Sequence, residues 1–204
     1  MTPKIKLCGL RRTEDIQYAN ELSPEYIGFV FARKSKRYVS PDEAAYLRSQ
    51  LKEGIIPVGV FVDEDIETIC SLLEKNIIGA VQLHGNEGED YIARLRQRTA
   101  AVIIQAFRIN SEADIEAAEN SSADHILLDS GCGSGEVFDH SILKKIRRSC
   151  FLAGGLTPDN IREIIAEYHP FAVDVSSSIE SDGFKDKNKM TAFVNAVRKE
   201  HNND

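Results

Sequence analysis

Two residues stand where a short apolar run meets polar chain: Cys8 near the end of KIKLCGL and Asp129 at the end of HILLD. A thiol and a carboxyl facing one cavity from opposite sides can handle two protons at opposite ends of one substrate, given pKa values tuned near neutrality. Cysteine acts as a base only as thiolate, so nearby positive charge or anion-binding dipoles are expected to favour that form. Taken alone, Cys8 also reads as a small core residue and Asp129 as a loop-ordering or capping carboxylate. A second signal is Gly154-Gly155 after CFLA, with Ser176-Ser177-Ser178 after AVDV. Small residues let backbone N–H groups approach an anion closely, and a short helix starting there adds a favourable dipole. A lone Gly-Gly is more simply a tight turn; its pairing with the serine run in the next unit is what suggests phosphate. Cys70, Cys132 and Cys150 read as structural.

The elements that position these residues alternate. Apolar runs at 4–10, 26–31, 57–62, 80–83, 102–107, 125–129, 150–153 and 172–175 read as strands. Between and after them, amphipathic segments at 13–22, from 41, 63–75, 87–98, 111–120, 140–148, 158–168 and 187–199 read as helices. Thr13, Ser40 and Ser111 are the expected caps, with Pro41 at the first helical position, where its missing N–H costs nothing. The strand runs are continuously apolar, the pattern of parallel strands buried on both faces. Strict β–α alternation implies a parallel sheet with right-handed crossovers. Eight units close most economically into a (βα)8 barrel, with an open doubly wound sheet as the competing arrangement. In a barrel, reacting groups sit at the C-terminal strand ends, which is where Cys8, Asp129 and both phosphate segments fall.

The 204 residues, 42% hydrophobic and 28% charged, suit one globular α/β domain spanning 1–204. A net charge of −7 argues against a nucleic-acid partner. No apolar run is long enough to span a bilayer, and the N-terminus lacks the apolar stretch of a signal peptide, so the expected setting is cytoplasmic. The four cysteines, far apart and without a CxxC pair, suggest neither a zinc site nor a disulfide framework.

The segments LCGL, GFVF with SKRYVS, VGVFV, QLHGNE, LLDS with GSGEVFDH, LAGGLTPDN, and VDVSSSIE with GFKD occur in this order along nearly the whole chain. Together they resemble the phosphoribosylanthranilate isomerases of tryptophan biosynthesis. The resemblance implies a (βα)8 barrel and an Amadori rearrangement of N-(5-phosphoribosyl)anthranilate, an aminoaldose, to the 1-deoxyribulose 5-phosphate aminoketose. It implies no cofactor and no metal, a phosphorylated aminosugar as the small-molecule partner, and a monomer or homodimer. By the same resemblance, Cys8 is the general base that takes the C2′ proton, and Asp129 is the general acid that protonates the ring oxygen. Arg37 contacts the anthranilate end, and His84 and Asp174 are polar substrate-binding positions. Gly154, Gly155, Ser176, Ser177 and Ser178 form the phosphate cradle.

The chain departs from that family's pattern in three places. Lys36 stands where a proline is usual, which would leave Arg37 less preorganised. The stretch Gly131-Cys132-Gly133-Ser134-Gly135 with Phe138-Asp139-His140 lacks the usual tryptophan. Ser178 takes a position usually glycine and would be strained if that position needed positive φ. None removes the acid or the base. Two alternatives remain open from sequence. One is an aminoaldose isomerase of histidine biosynthesis, which typically uses two aspartates and a two-phosphate substrate. The other is a non-catalytic phosphate-ligand barrel, which needs neither Cys8 nor Asp129.

Overall fold

A computed structural model describes residues 2–129 and 146–199. Its strands are β1 (Lys4–Cys8), β2 (Tyr26–Val30), β3 (Ile56–Phe61), β4 (Ala80–Leu83), β5 (Val102–Arg108), β6 (His125–Asp129), β7 (Cys150–Ala153) and β8 (Ala172–Val175). All pair in parallel in sequence order, and β8 returns to β1, so the sheet is a closed eight-stranded barrel. The described helices are α1 (Thr13–Leu22), α2 (Pro41–Ser49), α3 (Ile66–Glu74), α4 (Glu89–Arg96), α5 (Glu112–Asn120), α6 (Ile161–Tyr168) and α7 (Lys187–Arg198). Of the helix expected over 140–148, residues 140–145 lie outside the described residues, as do Cys132 and the glycine-rich stretch 131–135. The closed ring rules out the open sheet.

Several boundaries differ from the sequence reading for identifiable local reasons. β1 stops at Cys8 because Gly9 takes φ 80°, a left-handed backbone that a strand cannot continue. Arg12, not Thr13, caps α1: the Asp15 carboxylate accepts the N–H groups of Arg11 and Arg12, so the chain is already turning one residue earlier. Ser40 caps α2 reciprocally with Glu43, and Ser111 caps α5 with Asp114, as the sequence predicts. α3 begins at Ile66, not Asp63, with Asp65 as its cap. α4 begins at Glu89 because the Glu87 carboxylate is spent on the amides of Asp63 and Gly85. Pro158–Asn160 form a turn, and α6 begins only at Ile161. A small antiparallel hairpin, β9 (Glu180–Ser181) with β10 (Phe184–Lys185), follows β8 and has no counterpart in the sequence reading.

Side chains alternate between the barrel interior and the helix layer. Ile5 and Leu7 of β1 join Ile27, Phe29, Val81, Ile103 and Val173 in the outer core beneath the helices. Tyr26, Val58, Ala80, Ile104, Leu127 and Phe151 fill the interior. Above them Cys8 packs with Val30 and Val60. Between β1 and β2 the register sets Cys8 level with Gly28. A Cβ on Gly28 would lie 2.6 Å from Cys8 Sγ and 3.1 Å from its Cα. The bare glycine is therefore what gives the sulfur its place.

Two predictions follow from this packing. Gly28→Ala overpacks the interior and should cost about 1–3 kcal/mol in a denaturant titration. A crystal structure of the variant should show the Cys8 side chain displaced; an unmoved sulfur at unchanged stability contradicts the argument. At the opposite end, the His125 ring stacks on Phe171 at 4.5 Å, and its buried Nδ1 has no hydrogen-bond partner among the described residues. Burial, helped by Lys4 and Arg148, holds its basicity below the ordinary value despite the pull of Asp124. The folded state therefore binds fewer protons than the unfolded chain around this group. Its stabilising share is complete above about pH 6.5 and is lost as pH falls below that toward the folded value. Between pH 7 and 5, the parent should lose stability more steeply than His125→Phe; parallel slopes would refute this.

Candidate active site

At the C-terminal end of the strands lies a cavity of about 690 Å³. Cys8, Arg37, His84, Asp129, Asp174, Gly154, Gly155, Ser176, Ser177 and Ser178 all line it, with Gln82 and Arg108. The closed ring brings together residues that are up to 170 positions apart in the chain (178 − 8). Around that ring, β7 and β8 lie between β6, which carries Asp129, and β1, which carries Cys8. The Gly154-Gly155 and Ser176–Ser178 segments thus sit between the thiol and the carboxyl.

Cys8 lies at the wall of this cavity, 8% exposed. Burial raises its thiol above the ordinary range. Lys6 and Lys185 pull the other way, and Asp174 adds to the rise. The expected positive charges are present, but desolvation outweighs them, so the resting group is the thiol rather than the thiolate.

Lys6 is a residue that the sequence reading passed over. It has no exposed surface, and its Nζ donates to Asp174 Oδ2 at 2.8 Å. The other oxygen, Asp174 Oδ1, is buried and has no partner among the described residues. The available signal was position: Lys6 lies two residues before Cys8 and shares its face of β1.

Arg37 is not left loose by Lys36. Its Nε and Nη2 donate to the two oxygens of Glu180 at 2.6 and 2.8 Å, a bidentate pair. Lys185 Nζ donates to Glu180 Oε1 at 2.7 Å and to the Ser176 carbonyl at 2.9 Å. Burial works to raise the Glu180 carboxyl, but the hydrogen bonds from Arg37 and Lys185 prevail and hold it below its ordinary value. The β9–β10 hairpin therefore supplies the brace for Arg37. Glu180 and Lys185 lie in segments SSSIE and GFKD, and no spacing rule pointed to them.

His84 and Asp129 approach from β4 and β6, with Nε2 to Oδ2 at 3.9 Å. Gln82 Nε2 lies 2.9 Å from His84 Nδ1 and donates to it, which leaves the ring proton on Nε2, toward Asp129. The backbone at His84 is fixed by its N–H on the Phe61 carbonyl. The following loop is clamped by Glu87 on the amides of Asp63 and Gly85, and by Asp63 on the amide of Asn86.

Gly154 and Gly155 take φ 88° and 61°, a double turn that residues with a Cβ rarely adopt. Asn160 Nδ2 donates to the Gly155 carbonyl and fixes the turn. Ser177–Ile179 form a single 3-10 turn, so the dipole expected there is that of one turn and no more. Ser178 is not among the positive-φ residues, so the expected strain is absent. The hydroxyls of Ser176 and Ser178 donate to the carbonyls of Cys8 and Leu156. They shape the loop, which leaves anion contact to backbone rather than to these hydroxyl protons. Among the described residues, no helix is long and apolar enough to cross a membrane.

Comparison with known proteins meets this geometry from outside. Residues 5–196 match the family model described as N-(5'phosphoribosyl)anthranilate (PRA) isomerase. A relative from Caldanaerobacter subterraneus subsp. tengcongensis, named N-(5'-phosphoribosyl)anthranilate isomerase, is 44% identical over 202 residues, covering 96% of this chain and 98% of its own. The crystal structure of phosphoribosyl anthranilate isomerase from Thermotoga maritima superposes with a TM-score of 0.88 at 37% identity, covering 96% of this chain and 98% of that one. A crystal structure of a phosphoribosyl anthranilate isomerase in complex with reduced 1-(o-carboxyphenylamino)-1-deoxyribulose 5-phosphate gives 0.86 at 36% identity over the same shares. A barrel closed in this order, with these residues around its mouth and relatives alike over nearly its whole length, belongs to the N-(5'-phosphoribosyl)anthranilate isomerase family.

Proposed function

We propose that this chain catalyses the Amadori rearrangement of N-(5'-phosphoribosyl)anthranilate to 1-(2-carboxyphenylamino)-1-deoxyribulose 5-phosphate, with Asp129 as general acid and Cys8 as general base. The observation that carries the reading is the arrangement around the cavity. A thiol on β1 and a carboxyl on β6 open into one space, with the glycine and serine turns of β7 and β8 between them. A non-catalytic binder would need the turns but neither the thiol nor the carboxyl.

The steps balance as follows. Protonated Asp129 gives its proton to the furanose ring oxygen. The C1′–O bond breaks, and the anilino nitrogen lone pair forms the C1′=N iminium. The thiolate of Cys8 removes the C2′ proton, and that electron pair becomes the C1′=C2′ double bond of an enolamine. The C2′ hydroxyl then loses its proton as C1′ gains one, giving the ketone. Each residue needs a proton partner in turn, and no proton is gained or lost over the cycle. The raised thiol makes the ionised fraction of Cys8 the stronger base. The Nε2–H of His84 faces the Asp129 carboxylate left after the first step and supports its charge.

The other contacts are assigned by the same logic. Arg37, braced by Glu180, meets the anthranilate end, and its Nη1 is not used in that brace. The buried, unpartnered Asp174 Oδ1 accepts from a sugar hydroxyl. Gly154, Gly155 and Ser176–Ser178 seat the phosphate through their backbone.

The deciding experiment follows the loss of fluorescence of freshly generated phosphoribosylanthranilate. Cys8→Ala and Asp129→Asn should each lower turnover by about 10²–10⁴-fold with little change in unfolding midpoint. A parent protein that binds the compound without turning it over would sink the reading. Inorganic phosphate at fixed ionic strength should raise KM and leave kcat alone; kinetics indifferent to phosphate would remove Gly155 and its neighbours from the site.

A further inference from the structure

Lys6, buried two residues before Cys8 on the same face of β1, has a place that stability does not account for. An ammonium with no exposed surface loses all its hydration, and a buried ion pair replaced by apolar side chains of similar volume is often neutral or more stable. Its Nζ carries three protons. One is committed to Asp174 Oδ2 at 2.8 Å, and the ammonium pulls the Cys8 thiol downward. Lys6 and Cys8 share a face of β1, and the register opposite sets Lys6 level with Asp174 on β8. Gly28, lacking a Cβ, leaves the sulfur its space beside β2.

We propose that Lys6 is the positioning residue that holds the Cys8 sulfur as thiolate when it ionises, its ammonium being the resident counter-charge and Asp174 the anchor that aims it. The catalytic consequence rests on the reading of Cys8 as base. Among the described residues, the ionisable groups that face Cys8 are Lys6 on its own strand, Asp174 on β8, Lys185 on β10 and Arg37 in the segment between β2 and α2. Lys185 and Arg37 are both tied to Glu180, which offsets their charge. Asp174 opposes the thiolate. Lys6, paired with Asp174, is the cation among them that Glu180 does not hold, and it pulls the Cys8 thiol down where Asp174 pushes it up.

The test reads the sulfur directly, without substrate. The protein is alkylated with iodoacetamide across a pH series, and the peptide carrying Cys8 is quantified by mass spectrometry, so the other cysteines do not enter. Lys6→Met should move the midpoint for Cys8 alkylation upward by about one pH unit or more. Asp174→Asn should move it downward. A fold merely loosened by mutation would not give opposite signs. If Lys6→Met does not give the parent's circular dichroism spectrum, the double variant Lys6→Met with Asp174→Asn is measured in its place, and a smaller upward shift is expected. A Lys6→Met or double-variant profile that superimposes on the parent, or shifts downward, overturns the proposal. An inactive parent with the upward shift intact would uphold the role of Lys6 while removing the isomerase reading. An active parent with no shift would remove Lys6 alone.

Discussion

The pairing of β8 with β1 is the constraint on which the site depends. It closes the barrel, and in closing it sets Lys6 level with Asp174 inside a space that water does not reach. Once one of these charges is buried, the other must be buried with it, because removing either partner leaves an uncompensated charge at a cost of about 3–5 kcal/mol. The pair thus fixes a floor of buried charge beneath Cys8. Cys8 stands one step above it on the same strand face, where the bare Gly28 leaves it room. The chemistry proposed for this molecule begins from that floor.

A second set of charges braces the rim. Glu180 holds Arg37 with two hydrogen bonds and Lys185 with a third, and Lys185 reaches the Ser176 carbonyl. Ser176 in turn donates to the Cys8 carbonyl. One carboxylate therefore links the segment after β2, the turn after β8 and the end of β1. Across the cavity the bracing comes from an amide side chain and from carboxylates that accept backbone N–H groups rather than from ion pairs. Gln82 sets the tautomer of His84, and the clamp between Asp63, Gly85, Asn86 and Glu87 holds its loop. The contrast follows from burial. The Glu180 side is mostly enclosed, so charges there must be paired; His84 and Asp129 are each about one-third exposed and can be served by solvent.

These braces also bear on two of the departures from the family pattern. Lys36 in place of proline removes a local stiffener next to Arg37. The guanidinium is fixed instead by a residue 143 positions away (180 − 37), so the local change matters little. Ser178 in place of glycine sits in a 3-10 turn with ordinary φ, where a Cβ costs nothing.

The amino-acid order by itself determined the strand and helix alternation, because period-2 and period-3.6 apolar patterns are local properties of a chain. It also set which residues stand at strand ends, and so placed Cys8, Asp129 and the glycine and serine turns at one face of a barrel. It did not reveal Lys6, Glu180, Lys185 or the β9–β10 hairpin as parts of the site. Each gets its meaning from a partner more than a hundred residues away or from a short turn with no periodic signal. Lys6 in a strand looks like an edge charge until β8 arrives beside it. The start of α4 moved for the same reason: Glu87 was free to continue a helix until Asp63, 24 residues earlier, offered an amide to its carboxylate. Sequence carries burial preference along the chain, but which charges meet inside the barrel is decided only when the ring closes and water is excluded.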